Sequence, residues 1–302
     1  MKQLAHQTGV SIKNILVPTD FSEYSEMAIR SARTLAGRNH AKIHVAHVVN
    51  PTTIPLISPE AGAFAADRVR QRAAEELRKL DRESILGSAK HECLLREGYV
   101  WEQLQGVIRE RQIDLVVTGT HGPGGFEKLA LGSVAEEIFR NASCPVVTVG
   151  PLISSECASD EDLRCVLYAT DFSPQSLGAA EFAVALAQEH GARLVFLHVI
   201  ETLFEKSEAG MVSTSDAFIA ELKKLIPADA ELWCEPEYRV EYGDPATEII
   251  ETAIVTRANM IVLGVLKAPG ASTHMPWSIA SKIVRQAPCP VLTVRGGIDA
   301  AE

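Results

Sequence analysis

The chain has 302 residues, 46% hydrophobic and 23% charged, which is the composition of an ordinary globular protein rather than a disordered or fibrous one. Its formal net charge of −10 argues against a nucleic-acid partner, because nucleic-acid binders carry a basic face. No apolar run approaches the roughly 18 residues of a membrane span, and the first residues lack the apolar core of a signal peptide. We therefore expect a cytoplasmic protein with no membrane partner. The six cysteines have no metal-binding spacing, and we expect no metal site in the protein itself.

Apolar runs typical of strands alternate with helical patterns along the first half of the chain. The predicted strands cover 13–18, 41–49, 92–98, 114–119 and 145–150. The predicted helices cover 25–38, the segment around 68–86, 99–112 and 133–142. This alternation is typical of βα units on a parallel sheet.

The second half of the chain repeats the first. NILVPTDFS aligns with CVLYATDFS, so that Asp20 matches Asp171, and DLVVTGT aligns with NMIVLGV, so that Gly119 matches Gly264. We predict two domains, 1–152 and 160–302, joined by a polar linker over 151–162. Each domain is predicted to be an open five-stranded parallel α/β sheet with helices on both faces, large enough to bury its own core.

Such sheets bind ligands beyond the carboxyl ends of their strands, where the strand order reverses. The stretch GTHGPGGFEKLALGS, residues 119–133, lies there, between a strand and a helix. We expect free N–H groups of Gly132, Ser133 and Val134 at that helix start, where an anion is favoured. The alternative is a flexible turn with Ser133 as helix N-cap. Neither a Walker loop nor a dinucleotide fingerprint occurs in this stretch.

The spacing Gly119-x2-Gly122-x9-Gly132-Ser133, together with VPTDFS after the first strand, resembles the nucleotide-binding motif of universal stress proteins. The resemblance covers nearly the whole chain and is to the tandem form, because both copies carry TDFS, an HV pair and a CPV ending. It implies two Rossmann-like domains of the adenine-nucleotide alpha-hydrolase-like fold, the first with an intact nucleotide motif.

The resemblance also implies which residues contact an adenine nucleotide. Adenine and ribose would be contacted by Pro18, Thr19 and Asp20, and adenine also by the backbone of Val48. The ribose and the nearer phosphates would be lined by Thr118, Gly119, His121 and Gly122, and the terminal phosphates by Gly132, Ser133 and Val134. Mg²⁺ would be held mainly by the phosphates and water, since no carboxylate cluster is evident.

The second copy departs from this motif at its most demanding positions. Gly264 remains, but Lys267 and Trp277 stand where the second and third glycines should be. A tryptophan at the helix start would fill the volume that a phosphate needs. We expect the second copy not to bind a triphosphate, and we interpret Asp171 as a turn or helix-capping residue.

These features favour an ATP-binding module for stress response or signalling, whose second domain is largely structural or regulatory. One alternative is an enzyme with slow ATP hydrolysis or self-phosphorylation near Ser133, although no dedicated catalytic set is recognisable and we expect weak hydrolysis at most. The other is a nucleotide-free interaction module. In the family the final strand pairs two domains, so the two halves would form a pseudo-dimer or a second chain would make a homodimer. We interpret His44, His47 and His198 as packed or hydrogen-bonded strand residues.

Overall fold

The computed structural model describes residues 10–50, 59–82, 85–120, 131–153, 162–201, 208–226, 234, 236–265 and 279–295. The chain divides into two compact units, Ile12–Pro151 and a second one formed mainly by the residues that follow. Among the described residues, no helix combines the length and apolar character that crossing a lipid bilayer requires.

Strands and helices alternate throughout the first unit, as the sequence predicts. Its elements are β1 (Asn14–Pro18), α1 (Glu23–Asn39), β2 (Lys42–Val49), α2 (Pro59–Arg82), β3 (His91–Glu97), α3 (Val100–Glu110), β4 (Leu115–Gly119), α4 (Ser133–Asn141) and β5 (Val146–Val149). The second helix begins nine residues before the predicted segment and ends four residues before its end.

All strands of the first unit are parallel, in the order β3-β2-β1-β4-β5. The chain moves from β1 through β2 to β3 on one side, then crosses to β4 on the other side of β1. The strand order therefore reverses between β1 and β4, and a crevice is expected at their carboxyl ends.

A layer of helices covers each face of this sheet, because consecutive strand residues point to opposite faces. On one face, α3 and α4 close a fully apolar cluster with residues from four strands. Its buried members are Leu16, Ala46, Leu104, Val107, Ile108, Ile113, Val116, Ile138, Ala142 and Val146. Helix α1 contributes Ile29 and Leu35, which are almost completely buried, and packs against β1 and β4.

The second unit repeats this architecture with the strand order β8-β7-β6-β9-β10, again all parallel. Its elements are β6 (Cys165–Ala169), α5 (Pro174–His190), β7 (Arg193–Ile200), α6 (Glu208–Lys223), β8 (Glu237–Tyr242), α7 (Pro245–Thr256), β9 (Met260–Val265), α8 (Ile279–Gln286) and β10 (Val291–Arg295). The predicted fold of two five-stranded parallel α/β units is confirmed.

One side chain braces the start of the first strand in each unit. Asp114 Oδ2 accepts hydrogen bonds from the backbone amides of Lys13 and Asn14, at 2.8 and 2.9 Å. At the equivalent place in the second unit, Asn259 Oδ1 accepts from the amides just before and at the start of β6, at 3.1 and 3.0 Å. Both copies therefore have a side-chain oxygen that accepts these bonds, but it is a charged carboxylate in the first copy and a neutral amide in the second.

Glycine is required at the end of β4 by the close approach of α1. A Cβ added to Gly119 would lie 2.8 Å from the carbonyl oxygen of Tyr24, closer than real Cβ atoms come. In the second unit a Cβ on Gly264 would lie 2.3 Å from both Gln175 O and Ser176 Cα. This glycine is therefore shared by both copies for reasons of packing.

We expect Gly119→Ala to destabilise the first unit by about 1–3 kcal/mol, because α1 must move away from the sheet to admit the methyl group. Gly37→Ala is the matched control. Gly37 lies in α1, and nothing lies within 4 Å of a Cβ added there. Its replacement by alanine should therefore stabilise the first unit by about 0.5–1 kcal/mol. Urea unfolding curves of the two variants measure both effects. Equal stability of the two variants would contradict the packing explanation.

Candidate functional site

The candidate residues that the structure describes in the first unit lie at the carboxyl edge of its sheet, on both sides of the strand-order reversal. Pro18 ends β1 opposite Ala46 of β2, and the amide of Thr19 donates to the Ala46 carbonyl at 2.9 Å, which extends the pairing by one residue. Thr118 and Gly119 end β4, the other neighbour of β1. The parallel arrangement therefore brings these predicted residues to one edge.

A compact turn joins β1 to α1 at this edge. The Thr19 hydroxyl accepts from the amide of Phe21 at 3.1 Å and pairs with the Ser25 hydroxyl at 3.0 Å. Ser22 is the N-cap of α1, and its Oγ accepts from the amide of Ser25 at 3.3 Å. Thr19 and Ser25 are both buried, so these polar groups have their partners inside the turn.

An aromatic pair fixes the other side of the turn. His47 Nδ1 lies 2.7 Å from the carbonyl oxygen of Thr19, and the ring of His47 packs against that of Phe21 with centroids 4.4 Å apart. Phe21 has φ of 64°, a left-handed conformation that is uncommon for a bulky residue. The interpretation of His47 as a hydrogen-bonded strand residue is confirmed.

Asp20 is exposed at the tip of this turn. Its Oδ1 accepts from the amide of Ser22 at 3.0 Å, which fixes the direction of the carboxylate. Asp171 makes the same bond to the amide of Ser173 at 3.0 Å, and Ser173 is the N-cap of α5. Burial opposes ionisation of Asp171, but hydrogen bonds from Ser173 and Ser176 outweigh it and hold its pKa below the ordinary value. Asp171 is thus a turn residue rather than the cap.

The two middle segments of the predicted site are well packed. Val48 is half-buried against the cluster under α3 and α4, and its backbone is paired with β3 at Arg96. Thr118 is buried, and its hydroxyl donates to the carbonyl of Gly119 at 3.2 Å. Because the Val48 side chain packs on the core and the Thr118 hydroxyl is hydrogen-bonded, a ligand would contact these two residues mainly through their backbone atoms.

Helix α4 begins at the same edge. The amide of Gly132 donates to the carbonyl of Thr120 at 2.7 Å, which ties the helix start to the end of β4. The expectation of a free N–H group at Gly132 is corrected, because this amide is bonded to Thr120. The alternative with Ser133 as N-cap is also wrong, since Gly132 is the N-cap. Ser133 and Val134 are the first two helical residues, whose amides have no acceptor within the helix.

The remaining predicted positions lie outside the described residues. These are His121 and Gly122 in the first copy and Lys267 and Trp277 in the second. Among the described residues, no group of three or more His, Cys, Asp or Glu side chains is arranged to hold a metal ion.

The second unit has an aromatic cluster at the corresponding edge that the sequence did not reveal. Phe172, at φ of 60°, repeats Phe21, and His198 Nδ1 lies 2.8 Å from the carbonyl oxygen of Thr170, as His47 does for Thr19. Phe218 of α6 adds a third ring, with centroids 5.8 Å from Phe172 and 4.2 Å from His198. Both units have the same turn, but comparison of the two copies did not predict that Phe218 packs on it in the second unit.

The fold is that of a tandem α/β protein of Rossmann-like architecture, and the described candidate residues lie at the carboxyl edge of the first sheet. The model of the universal stress protein family matches residues 11–150 and again 163–295. The chain therefore belongs to the universal stress protein family, in the tandem form that the sequence predicts.

Similar proteins support this assignment. A universal stress protein of Mycolicibacterium smegmatis is 27% identical over 299 residues, which cover 93% of this chain and 96% of that protein. One of Methanocaldococcus jannaschii is 30% identical over 140 residues, 45% of this chain and 81% of that protein. The crystal structure of a universal stress protein from Archaeoglobus fulgidus shares the fold, with a TM-score of 0.67 at 21% identity, over 96% of this chain and 98% of that one.

We expect Thr19→Val to destabilise the first unit by about 1–3 kcal/mol, because the Phe21 amide loses its acceptor and the buried hydroxyl–hydroxyl bond to Ser25 is lost. Ser25 Oγ keeps its bond to the carbonyl of Ser22, at 2.8 Å. Thr19→Ser keeps the hydroxyl and should recover most of the loss. Chemical denaturation of both variants measures the difference. A valine variant as stable as the serine variant would show that the hydroxyl does not hold the turn.

Proposed function

We propose that the first unit binds an adenine nucleotide, ATP in the first instance, in the crevice beyond β1 and β4. Asp20 would accept from the ribose hydroxyls, and the start of α4 would receive the phosphates. The second unit would have a structural or regulatory role. The protein would act in stress response or signalling through the change in its contacts when the nucleotide is bound.

The observation that carries the proposal is the different status of two glycines. Gly119 is explained by packing, and its counterpart Gly264 is kept in the second copy. Gly132 has φ of −61° and ψ of 149°, a conformation open to any residue, so its backbone does not demand glycine. The second copy has Trp277 at this position. A ligand lying against the helix start explains why the first copy has no side chain there.

The chemistry of this edge suits a phosphate chain. The amides of Ser133 and Val134 have no acceptor within α4, and the helix dipole adds a partial positive charge. Glu136 in the first turn would oppose an anion, but Arg140 Nη2 lies 2.8 Å from its Oε1 and offsets the charge. Mg²⁺ bound to the phosphates and water would neutralise the remainder.

Isothermal titration of the full chain with ATP and Mg²⁺ tests the proposal. We expect one site per chain, with affinity weakened about tenfold or more by Asp20→Ala, since a charged hydrogen-bond acceptor is lost. Asp171→Ala is the matched control, because it removes the same turn hydrogen bond from the second unit. It should leave the affinity unchanged.

A second variant tests the phosphate end of the site. Gly132→Trp introduces the residue of the second copy and should abolish binding, while circular dichroism verifies that the variant is folded. Absence of heat with the unmodified chain would favour a nucleotide-free interaction module. Many turnovers of ATP per site, abolished in Gly132→Trp, would favour an enzyme. Pairing of the two copies, a homodimer and a cytoplasmic location stay predictions.

A further inference from the structure

A buried histidine lies at the amino end of the first sheet, on the edge opposite the proposed nucleotide site. His44 is the third residue of β2, is 2% exposed, and stands opposite Leu16 of β1 and Glu92 of β3. Its Nε2 lies 3.3 Å from Asn14 Oδ1. The side-chain nitrogen of Asn14, Nδ2, donates to the carbonyl of Gln112 at 3.4 Å, so the oxygen Oδ1 is the side-chain atom that faces the histidine. Nε2 is therefore the protonated nitrogen of the neutral ring.

This assignment leaves Nδ1 of the neutral ring as an acceptor that faces another acceptor. Within the described part of the chain, Nδ1 has no hydrogen-bond partner, although Glu92 Oε2 lies 3.5 Å away. A buried polar atom without a partner is costly, and here one proton would convert the contact into an ion pair.

Positively charged groups around His44 oppose the uptake of a proton at Nδ1. Lys42 Nζ of β2 lies 2.6 Å from Glu92 Oε2, and Arg111 Nη2, just after α3, lies 2.7 Å from Glu92 Oε1. The carboxylate is therefore already shared by two cations. Burial first, and then Lys42 and Arg111, hold the pKa of His44 below 6.5, against the opposite effect of Glu92. Asn14, which faces the ring from β1, is uncharged.

The second unit provides an internal comparison. Glu237 corresponds to Glu92 and also lies between two cations, with Arg193 Nη1 at 3.9 Å and Arg239 Nη2 at 2.5 Å. Opposite Glu237, the position of His44 is taken by Val195, which is fully buried. The fold and the surrounding charges are thus compatible with an apolar residue, so the histidine is not explained by packing.

We infer that His44 makes the first unit acid-sensitive: uptake of a proton at Nδ1 adds a third cation beside Glu92 and loosens the pairing of β2 with β1 and β3. The second unit, with Val195, lacks this response. The inference is independent of nucleotide binding, because every group it uses lies at the amino end of the strands.

The direction of the pH effect follows from proton linkage. An unfolded chain takes up a proton on histidine near pH 6.5, whereas folded His44 does so only at lower pH. As the pH falls below 6.5, the unfolded or locally opened state is therefore favoured, and stability is lost until the folded pKa is passed. Well above pH 6.5 the histidine is neutral in both states, so its protonation does not lower the free energy of unfolding.

Hydrogen exchange of the full chain, followed by mass spectrometry at about pH 7.5 and about pH 5.5, tests the inference at the pH where histidine titrates. After correction for intrinsic exchange, residues 42–49 should lose protection at the lower pH relative to residues 193–200. The loss should approach about tenfold for each pH unit between the folded and unfolded pKa values.

Two variants identify the group responsible. His44→Val introduces the residue of the second copy, and His44→Gln keeps an amide nitrogen that can donate to Asn14 Oδ1 but does not titrate. Both should retain the protection of residues 42–49 at the lower pH. The inference is overturned if both units lose protection equally in the unmodified chain, or if the glutamine variant remains as acid-sensitive as the unmodified chain.

Discussion

The start of the first helix in each unit lies so close to one residue of the fourth strand that only glycine fits at that position. A Cβ at Gly119 would lie 2.8 Å from the α1 backbone, and a Cβ at Gly264 would lie 2.3 Å from the α5 backbone. This contact holds the start of the helix against β4 in the first unit, one of the two strands between which the order reverses. The turn that carries Asp20 leads directly into this helix, so the contact holds the turn beside the end of β4.

The sequence predicts the strands, most helices and the repeat, because these depend on the periodicity of apolar residues and on comparison of the two copies. It does not separate a glycine needed for packing from one needed for a ligand: Gly119 and Gly132 look alike until the position of Tyr24 is known. The bond from Gly132 to Thr120 and the contact of Phe218 with Phe172 bring together residues from different elements. Such contacts leave no periodic signal in the chain.

The two units share a frame and differ in what they place on it. The TDFS turn and the carboxamide or carboxylate brace before the first strand occur in both. A tryptophan replaces Gly132 and a valine replaces His44 in the second copy. The shared glycines at 119 and 264 are accounted for by packing, whereas Gly132 and His44, found in one copy alone, are not. An internal repeat thus serves as its own reference when assigning function.

The turn between β1 and α1 also has a consequence for the order of folding. Apart from the contact with His47, its side-chain hydrogen bonds join residues no more than six apart in the chain, from Thr19 to Ser25, and the second unit repeats this local bond from Thr170 to Ser176. Closing so short a loop costs little chain entropy, whereas pairing β1 with β4 joins residues 100 apart, from Ile15 to Leu115. Each unit therefore has a local corner that can form before its sheet, and that directs the first helix toward the strand it must later approach.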